Sequence, residues 1–446
     1  MSALNTDLYE LTMAAGYFAA GKTEEVGTFE LSVRRLPAYR NFLVAAGLQQ
    51  AVEFLLSVQF RQDEIDYLRS LSQLKHASPE FFQFLGKLRF TGDLFAVLEG
   101  TPVFPAEPIA LIRAPLVEAQ IVETYLISTF AFQTTVASKA ARCAFAAQGR
   151  PVVEFGSRRA HSPEAGILAG RAAYIGGCSG TSNAQSGMQF GIPVFGTAAH
   201  SWTMAFESEA ESFRQLQQLL GDETVFLVDT YDTPEGTRIA AELGKPAWGV
   251  RLDSGDLGPL SRQVRQILDH AGLNEAKIFA TNDLDEHRID QLIREGAPID
   301  AFGIGTQLAT SADSPTLAAV YKLVEIRRDN AVHYTAKFSD EKHTLPAAKQ
   351  IYRFRDHDVL ATQDDYESGA AGEPLLRPVI VKGQLVEPGP ATDRIRSYSE
   401  QALQALPPSL HSLEEAMAYP VVVSPRLLEL AETLRAQYLD RSVTAN

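Results

Sequence analysis

Apolar and polar positions along the chain alternate with two different periods, and the places where the period changes mark the predicted elements. Residues 4–20 carry apolar side chains at helical spacing, with Asn5, Thr6 or Asp7 able to cap the helix and Tyr9 in its first turn. Gly27–Val33 shows strand alternation before Arg34, Arg35 and the breaker Pro37, and Val44–Ser57 and Gln62–Leu74 return to helical spacing. Short strands and turns are expected over Phe90–Ile112, which Gly100, Pro102, Pro105 and Pro108 punctuate. Up to about residue 115 the pattern is that of a mixed α+β domain. Tyr125–Ala147 is the longest run of low polarity. Gln133, Thr134, Thr135, Ser138, Lys139 and Arg142 interrupt it, so it reads as a buried or subunit-packing helix and not as a membrane span.

From about residue 150 short apolar strands alternate with helical stretches, the signature of βα units around a parallel sheet. The candidate strands are Pro151–Phe155, Ala173–Gly177, Ile192–Gly196, Thr224–Val228, Ala247–Leu252, Lys277–Thr281, Ala301–Ile304 and Ala318–Ile326. Eight strands in about 175 residues are compact for a closed barrel, which takes about 250, so the expected α/β fold is an irregular or partly open α/β barrel. Beyond residue 340 the alternation fades. Ser339–Lys349 reads as a loop or flap, Gln350–Phe354 as another strand, 425–438 as a helix and Arg441–Asn446 as a loose tail.

Composition narrows the function. The 446-residue chain is 45% hydrophobic and 21% charged, the balance of a folded protein of about two to three domains. A formal charge of −15 and a pI near 5.1 argue against a broad nucleic-acid-binding face, while leaving room for a local basic site for a small anion. Cys143 and Cys178 cannot build a disulfide framework and read as small buried residues in a reducing compartment. Met1–Glu10 lacks the basic start and apolar run of a secretory signal, so the expected location is cytoplasmic with no membrane partner.

Chemistry is concentrated in the polar residues that follow the candidate strands, because loops at the carboxyl ends of parallel strands open on one face. Phe195–Trp202 breaks from a β-type run into small residues and presents one imidazole, His200, on a loop. Ala301-Phe-Gly-Ile-Gly-Thr306 ends a strand in two glycines and a hydroxyl. That suits a phosphate, and equally a plain tight turn; it is neither a Walker loop nor a complete dinucleotide fingerprint. In Val250–Leu257, Arg251 and Asp253 share a strand face, and with Asp256 they could bind an anion, sugar hydroxyls or Mg²⁺ through water. Within Glu154–His161, Phe155 could stack on a flat aromatic acid and Arg158 could fork onto its carboxylate, whereas His161 reads as structural or exposed.

Taken together, these motifs resemble the nicotinate phosphoribosyltransferases. The matching stretches are Thr6–Met13, Glu154–Arg159, Gly196–His200, Leu227–Asp232, Val250–Leu257 and Phe302–Thr306, in the family's order over about residues 6–355. The resemblance implies a type II phosphoribosyltransferase fold: an N-terminal α/β sandwich domain over residues 1–115 and a helical lead-in with an irregular barrel over 116–340. Residues 341–446 would form the loop or flap and C-terminal segments that pack back on the first domain and complete it. It implies transfer of a phosphoribosyl group from 5-phosphoribosyl diphosphate to nicotinate in NAD biosynthesis, with Mg²⁺, with ATP as co-substrate, and in a homodimer that shares its sites. In that reading His200 is transiently phosphorylated, and His200 and Asp253 are the catalytic residues. Tyr9 of one subunit and Phe155 of the other sandwich the pyridine ring, and Arg158, Thr197 and Arg251 surround nicotinate. Asp253 and Asn282 hold ribose hydroxyls, Gly305 and Thr306 receive the 5-phosphate, and Lys322, Lys337 and one of Arg34 or Arg35 face the diphosphate. Metal ligands stay unassigned. The alternatives are a nicotinamide phosphoribosyltransferase and a non-catalytic barrel binding protein. The first is disfavoured because Gly176–Asn183 offers hydroxyls and an amide but no carboxylate for an amide substituent.

Overall fold

The computed structural model describes residues 1–329, 331–339, 342–365, 372–414 and 416–444. The chain divides into two compact units, one drawn from residues 1–134, 316–390 and 401–446, the other from 135–315 and 391–400.

In the first unit a seven-stranded antiparallel sheet runs in the order Ala331–Tyr334, Ala319–Arg328, Val26–Val33, Pro108–Pro115, Asp93–Ala96, Arg377–Val381, Gln384–Leu385. Val26–Val33 is an interior strand, third in that order, and is buried almost throughout, so its polar positions need partners. Thr28 donates to Glu325 at 3.0 Å, and Glu30 pairs with the buried Lys349 at 2.7 Å. One apolar core joins this sheet to helices Leu8–Ala19, Leu48–Ser57 and Pro79–Lys87 through Leu11, Phe29, Leu31, Phe54, Phe81, Leu85 and Leu111. The helix Pro79–Lys87 is absent from the sequence reading. Its start is nonetheless written locally, with Ser78 accepting from the Phe81 amide and Pro79 in the first turn. A four-stranded sheet in the same unit contains Lys349–Arg353, a strand one residue from the expected Gln350–Phe354, and Val421–Val423. The helix from Pro425 continues to Thr444, so residues 441–444 are helical where a tail was expected; 445–446 lie outside the described residues.

In the second unit the sheet is parallel. Its strands are β1 (Val152–Glu154), β2 (Gly180–Thr181), β3 (Val225–Leu227), β4 (Gly249–Leu252), β5 (Lys277–Ala280) and β6 (Ala301–Ile304), in the spatial order β2-β1-β6-β5-β4-β3. The edge strands β2 and β3 do not pair with each other, so the α/β sheet stays open, as its compactness suggested. Five of the eight candidate strands lie here at nearly the expected positions. The other three do not. Ala173–Gly177 forms the last turn of helix Pro163–Ile175 and its cap, because alanine-rich apolar runs satisfy a helix as readily as a strand. Ile192–Gly196 contributes only a single bridge, Val194 to Thr181. Ala318–Ile326 is a strand, but an antiparallel one in the first unit.

Amphipathic helices Glu209–Leu220, Thr233–Leu243, Leu257–His270 and Glu286–Arg294 alternate with the strands, each capped by an Asp or Ser that accepts an amide of the first turn. A late segment returns to this unit. Within it Arg396 donates to the carbonyls of Cys178 at 3.1 Å and Gly177 at 3.3 Å and lies 5.3 Å over the Tyr174 ring. The low-polarity run forms helix Glu123–Ala146, buried from Gln133 to Cys143; among the described residues no helix is long and apolar enough to cross a membrane. Cys143 and Cys178 are both buried and free.

Candidate active site

Every strand of a parallel sheet ends at the same edge, so the residues just past β1, β3, β4, β5 and β6 are neighbours however far apart they are in sequence. A cavity of about 190 Å³ opens there, lined by Phe155, Arg158, Arg159, Arg251, Asp253, Thr281, Asn282, Asp283, Gly303, Gly305 and Thr306.

Arg251 organises it. The residue projects from β4 and is 8% exposed. Its Nε donates to Thr281 Oγ1 at 3.0 Å, Nη1 to Thr197 Oγ1 at 2.8 Å and to the Ala198 carbonyl at 3.2 Å, and Nη2 reaches Asp253 Oδ1 at 2.8 Å. Four of the five guanidinium N–H groups are thereby placed among the described residues, leaving one for a ligand. The guanidinium also lies 5.9 Å from the centre of the Phe155 ring, which meets Phe279 edge-on at 5.4 Å and 85°. Thr281 donates to Asp253 as well, so one hydroxyl joins the arginine to the carboxylate. A side chain at Gly303 would collide with Thr281, Phe279 and Phe155 at 2.7–3.0 Å, which is why the strand beneath the ring carries glycine.

Two residues past β5 hold the chain in the left-handed region, Asn282 at φ +94° and Asp283 at φ +47°. Such conformations cost about 1–3 kcal/mol each and concentrate at functional loops. Asn282 remains exposed, its amide reaching the Gly255 carbonyl at 3.4 Å.

His200 is not on an open loop: it begins the short helix His200–Met204. Its Nδ1 lies 3.2 Å from Thr230 Oγ1 and its Nε2 3.7 Å from Asp253 Oδ2, so the imidazole sits between a hydroxyl and the carboxylate that Arg251 and Thr281 fix. Behind Asp253, Asp229 accepts from the Asp253 amide at 3.0 Å and from Ser254 at 2.5 Å, while its Oδ1 is buried with no hydrogen-bond partner among the described residues. Glu209 stands nearby; burial and the charges of Glu235, Asp229 and Asp232 push its carboxyl up to about 7. No group of three or more His, Cys, Asp or Glu side chains converges for a metal ion among the described residues.

Comparison with known proteins now decides the family. The nicotinate phosphoribosyltransferase family matches residues 151–352, its N-terminal domain 4–131 and its C-terminal domain 339–431. A nicotinate phosphoribosyltransferase of Mycobacterium tuberculosis is 43% identical over 447 residues, covering 98% of this chain and 95% of that one. The chain belongs to the nicotinate phosphoribosyltransferase family. A relative of the same name from Bacillus subtilis is 43% identical over 81% of this chain and 75% of its own. The crystal structure of human nicotinic acid phosphoribosyltransferase superposes with a TM-score of 0.82 at 28% identity, covering 96% of this chain and 99% of that one.

Of the residues the family resemblance nominated, Phe155, Arg158, Arg251, Asp253, Asn282, Gly305 and Thr306 all line the one cavity, and Thr197 and His200 are bonded to or beside its members. Tyr9, Lys322, Lys337, Arg34 and Arg35 belong to the first unit. Tyr9 is in the first turn of Leu8–Ala19, exposed, with its hydroxyl pKa raised by burial and by Glu123 and Glu10. Lys322 is in strand Ala319–Arg328, and Lys337 is exposed before Phe338–Ser339. The sequence reading missed Thr281 and assigned no role to Asp229 or Thr230. Strand register, which pairs Ala280 with Leu252, is what sets Thr281 beside Asp253.

Proposed function

We propose that the cavity joins nicotinate to 5-phosphoribosyl diphosphate, giving nicotinate mononucleotide and diphosphate, in NAD biosynthesis. Supporting this reading above all is the Arg251 node: a buried cation with one free donor, beside the half-buried Phe155 ring and a carboxylate oriented by two donors. A flat aromatic anion needs the ring and the cation. A ribose needs the carboxylate Asp253 and the amide of Asn282, and a terminal phosphate needs the backbone of Gly305 and the hydroxyl of Thr306.

Loss of diphosphate builds positive charge on the anomeric carbon, so the site must align the pyridine nitrogen and stabilise the leaving group, with no general base required. Asp253, which lines the cavity, would meet that developing charge, and Arg158 and Arg159 at the rim would supply cationic charge for anions. Lys322, Lys337 and Arg34 or Arg35 would add to it, and Tyr9 would close on the ring, in a homodimer with shared sites. Magnesium bound with the diphosphate would neutralise charge on the leaving group. It needs only one or two carboxylates besides phosphate oxygens, and the unpaired Asp229 Oδ1 suits that demand.

ATP coupling runs through His200. In the tautomer whose Nδ1 donates to Thr230, the ring keeps the Nε2 lone pair to attack the γ-phosphorus of ATP. The N–P bond would form as the bond from that phosphorus to the ADP oxygen breaks and ADP leaves. The Asp253 carboxylate, 3.7 Å away, stabilises the positive charge the ring gains. A phosphohistidine adds about −1.5 to −2 charges beside the diphosphate subsite, which would change product release. The reaction would run in the cytoplasm. The test is a coupled assay for nicotinate mononucleotide with and without ATP, alongside γ-labelled ATP. Wild type should form product, respond to ATP and take up label, and His200→Ala should keep a basal rate with neither response nor label. Absence of product from nicotinate ends the proposal, and equal labelling of both proteins removes the phosphohistidine.

A further inference from the structure

We infer that Glu154 and Thr181 are positioning residues for the ring end of the pocket: a buried carboxylate–hydroxyl contact locks the loop after β1 to the loop after β2. The inference rests on the reading of the pocket given above. It adds two side chains that line no part of the cavity.

The chain of bonds is continuous. Glu154 ends β1 and Thr181 ends β2, and both are fully buried. One carboxylate oxygen of Glu154 accepts from the Gly156 amide, and the other accepts from the Thr181 hydroxyl at 2.6 Å. Thr181 Oγ1 itself accepts the Asn183 amide at 3.0 Å, so its proton is directed to Glu154. Asn183 then reaches back with Nδ2 to Ser157 at 3.1 Å, and with Oδ1 it caps helix Ala184–Phe190 by accepting from Ser186. Phe155, Arg158 and Arg159, which do line the cavity, are carried between and beside these tethered points.

Close packing shuts off the alternatives. A Cβ at Gly156 would sit 2.3 Å from Ala309 Cβ and 2.7 Å from the Gly305 carbonyl, so the first loop cannot move toward the phosphate end. One at Gly170, on helix Pro163–Ile175, would sit 2.8 Å from Ser186 Oγ and 2.9 Å from Thr181 Oγ1, so that helix backs the second loop. A buried carboxylate is a costly tether unless each oxygen has a donor. Here both do, and the tether fixes the direction of the turn that bears Phe155 and Arg158, which ladder bonds between strands would leave free.

Thr181→Val removes the hydroxyl while keeping its volume, and Thr181→Ser keeps the hydroxyl. Gly170→Ala presses on the same hydroxyl from behind, as a second variant should Thr181→Val not fold. Two measurements are made on the full chain. One is amide hydrogen exchange of residues 155–160 without ligand; the other is initial rates with nicotinate and 5-phosphoribosyl diphosphate varied separately. In Thr181→Val we expect faster exchange and a nicotinate KM raised about tenfold, the scale of one buried hydrogen bond. Its kcat and its KM for 5-phosphoribosyl diphosphate should stay within about twofold, and Thr181→Ser should match wild type. Faster exchange with an unchanged nicotinate KM would make the contact merely structural and overturn the inference. Unchanged exchange would overturn it as well. If wild type fails to use nicotinate, the proposed function falls on its own, and exchange alone still decides whether the tether exists.

Discussion

The parallel sheet has a cavity at each edge, and the two are nearly equal in size but opposite in kind. At the amino ends of β3, β4 and β5 a space of about 230 Å³ is floored by Phe226, Val250, Leu268 and Leu273, with Asp222, Lys245 and Glu275 exposed at its rim. No ion pair joins those three charges among the described residues. At the carboxyl ends the space of about 190 Å³ is smaller, and its Arg251, Thr281 and Asp253 are bonded to one another and partly withdrawn from water. Volume therefore does not mark the site. Oriented charge does, because a guanidinium already fixed by its neighbours pays no reorganisation when a ligand arrives.

The largest effect that tests this contrast should come from Arg251→Ala. It strips Asp253 and Thr197 of their partner, and kcat/KM for nicotinate should fall about 10³-fold, roughly 4 kcal/mol. Lys245→Ala at the other edge should leave the same ratio within about twofold, and similar losses in both variants would erase the contrast. Next comes Phe226→Ala. It opens a hole beside Phe213, 5.1 Å away, and should lower unfolding free energy by about 3–5 kcal/mol in denaturant titration with kinetics intact. A fall in nicotinate affinity at wild-type stability would show that the amino-end space communicates with the site. Smaller still is Thr281→Val, which deletes the hydroxyl shared by Arg251 and Asp253; a loss of about 1–2 kcal/mol should appear as roughly tenfold in kcat/KM. Full activity would mean that Arg251 and Asp253 orient each other unaided.

Charge crowding at the carboxyl edge has a pH signature. Folding raises the Glu209 carboxyl from 4.5 to about 7, burial contributing most. A carboxyl raised on folding favours the native state while protonated, so this contribution is full below about 4.5 and is lost as pH climbs through about 7. Melting temperature should therefore decline across that window in wild type and less steeply in Glu209→Gln. Parallel curves would show that Glu209 titrates alike in both states.

What the sequence disclosed follows physical lines. Arg251 and Asp253 were legible together because alternate residues of an extended segment share one face, and Asp253 directly follows β4, two residues past Arg251. Thr281 was not legible: it neighbours Asp253 only through the register of β5 on β4, which no local pattern encodes. Glu154 was visible as part of a motif but read only for the Phe155 and Arg158 that follow it, since a buried acid's partner, Thr181, stands 27 residues away. Ala173–Gly177 misled because short apolar runs do not distinguish helix from strand, whereas the strand ends expected at Val228, Leu252 and Thr281 are each followed five residues later by an Asp-capped helix, at Thr233, Leu257 and Glu286.

The segment that carries Arg396 has a consequence for the order in which the protein is made. The unit bearing the cavity starts at residue 135 but takes its last piece from 391–400, and Arg396 holds the carbonyls of Gly177 and Cys178 just ahead of β2. During synthesis the loop leading to Thr181 thus waits for its anchor while more than two hundred further residues leave the ribosome, and a chain stopped short of residue 391 would carry every cavity residue yet lack that anchor.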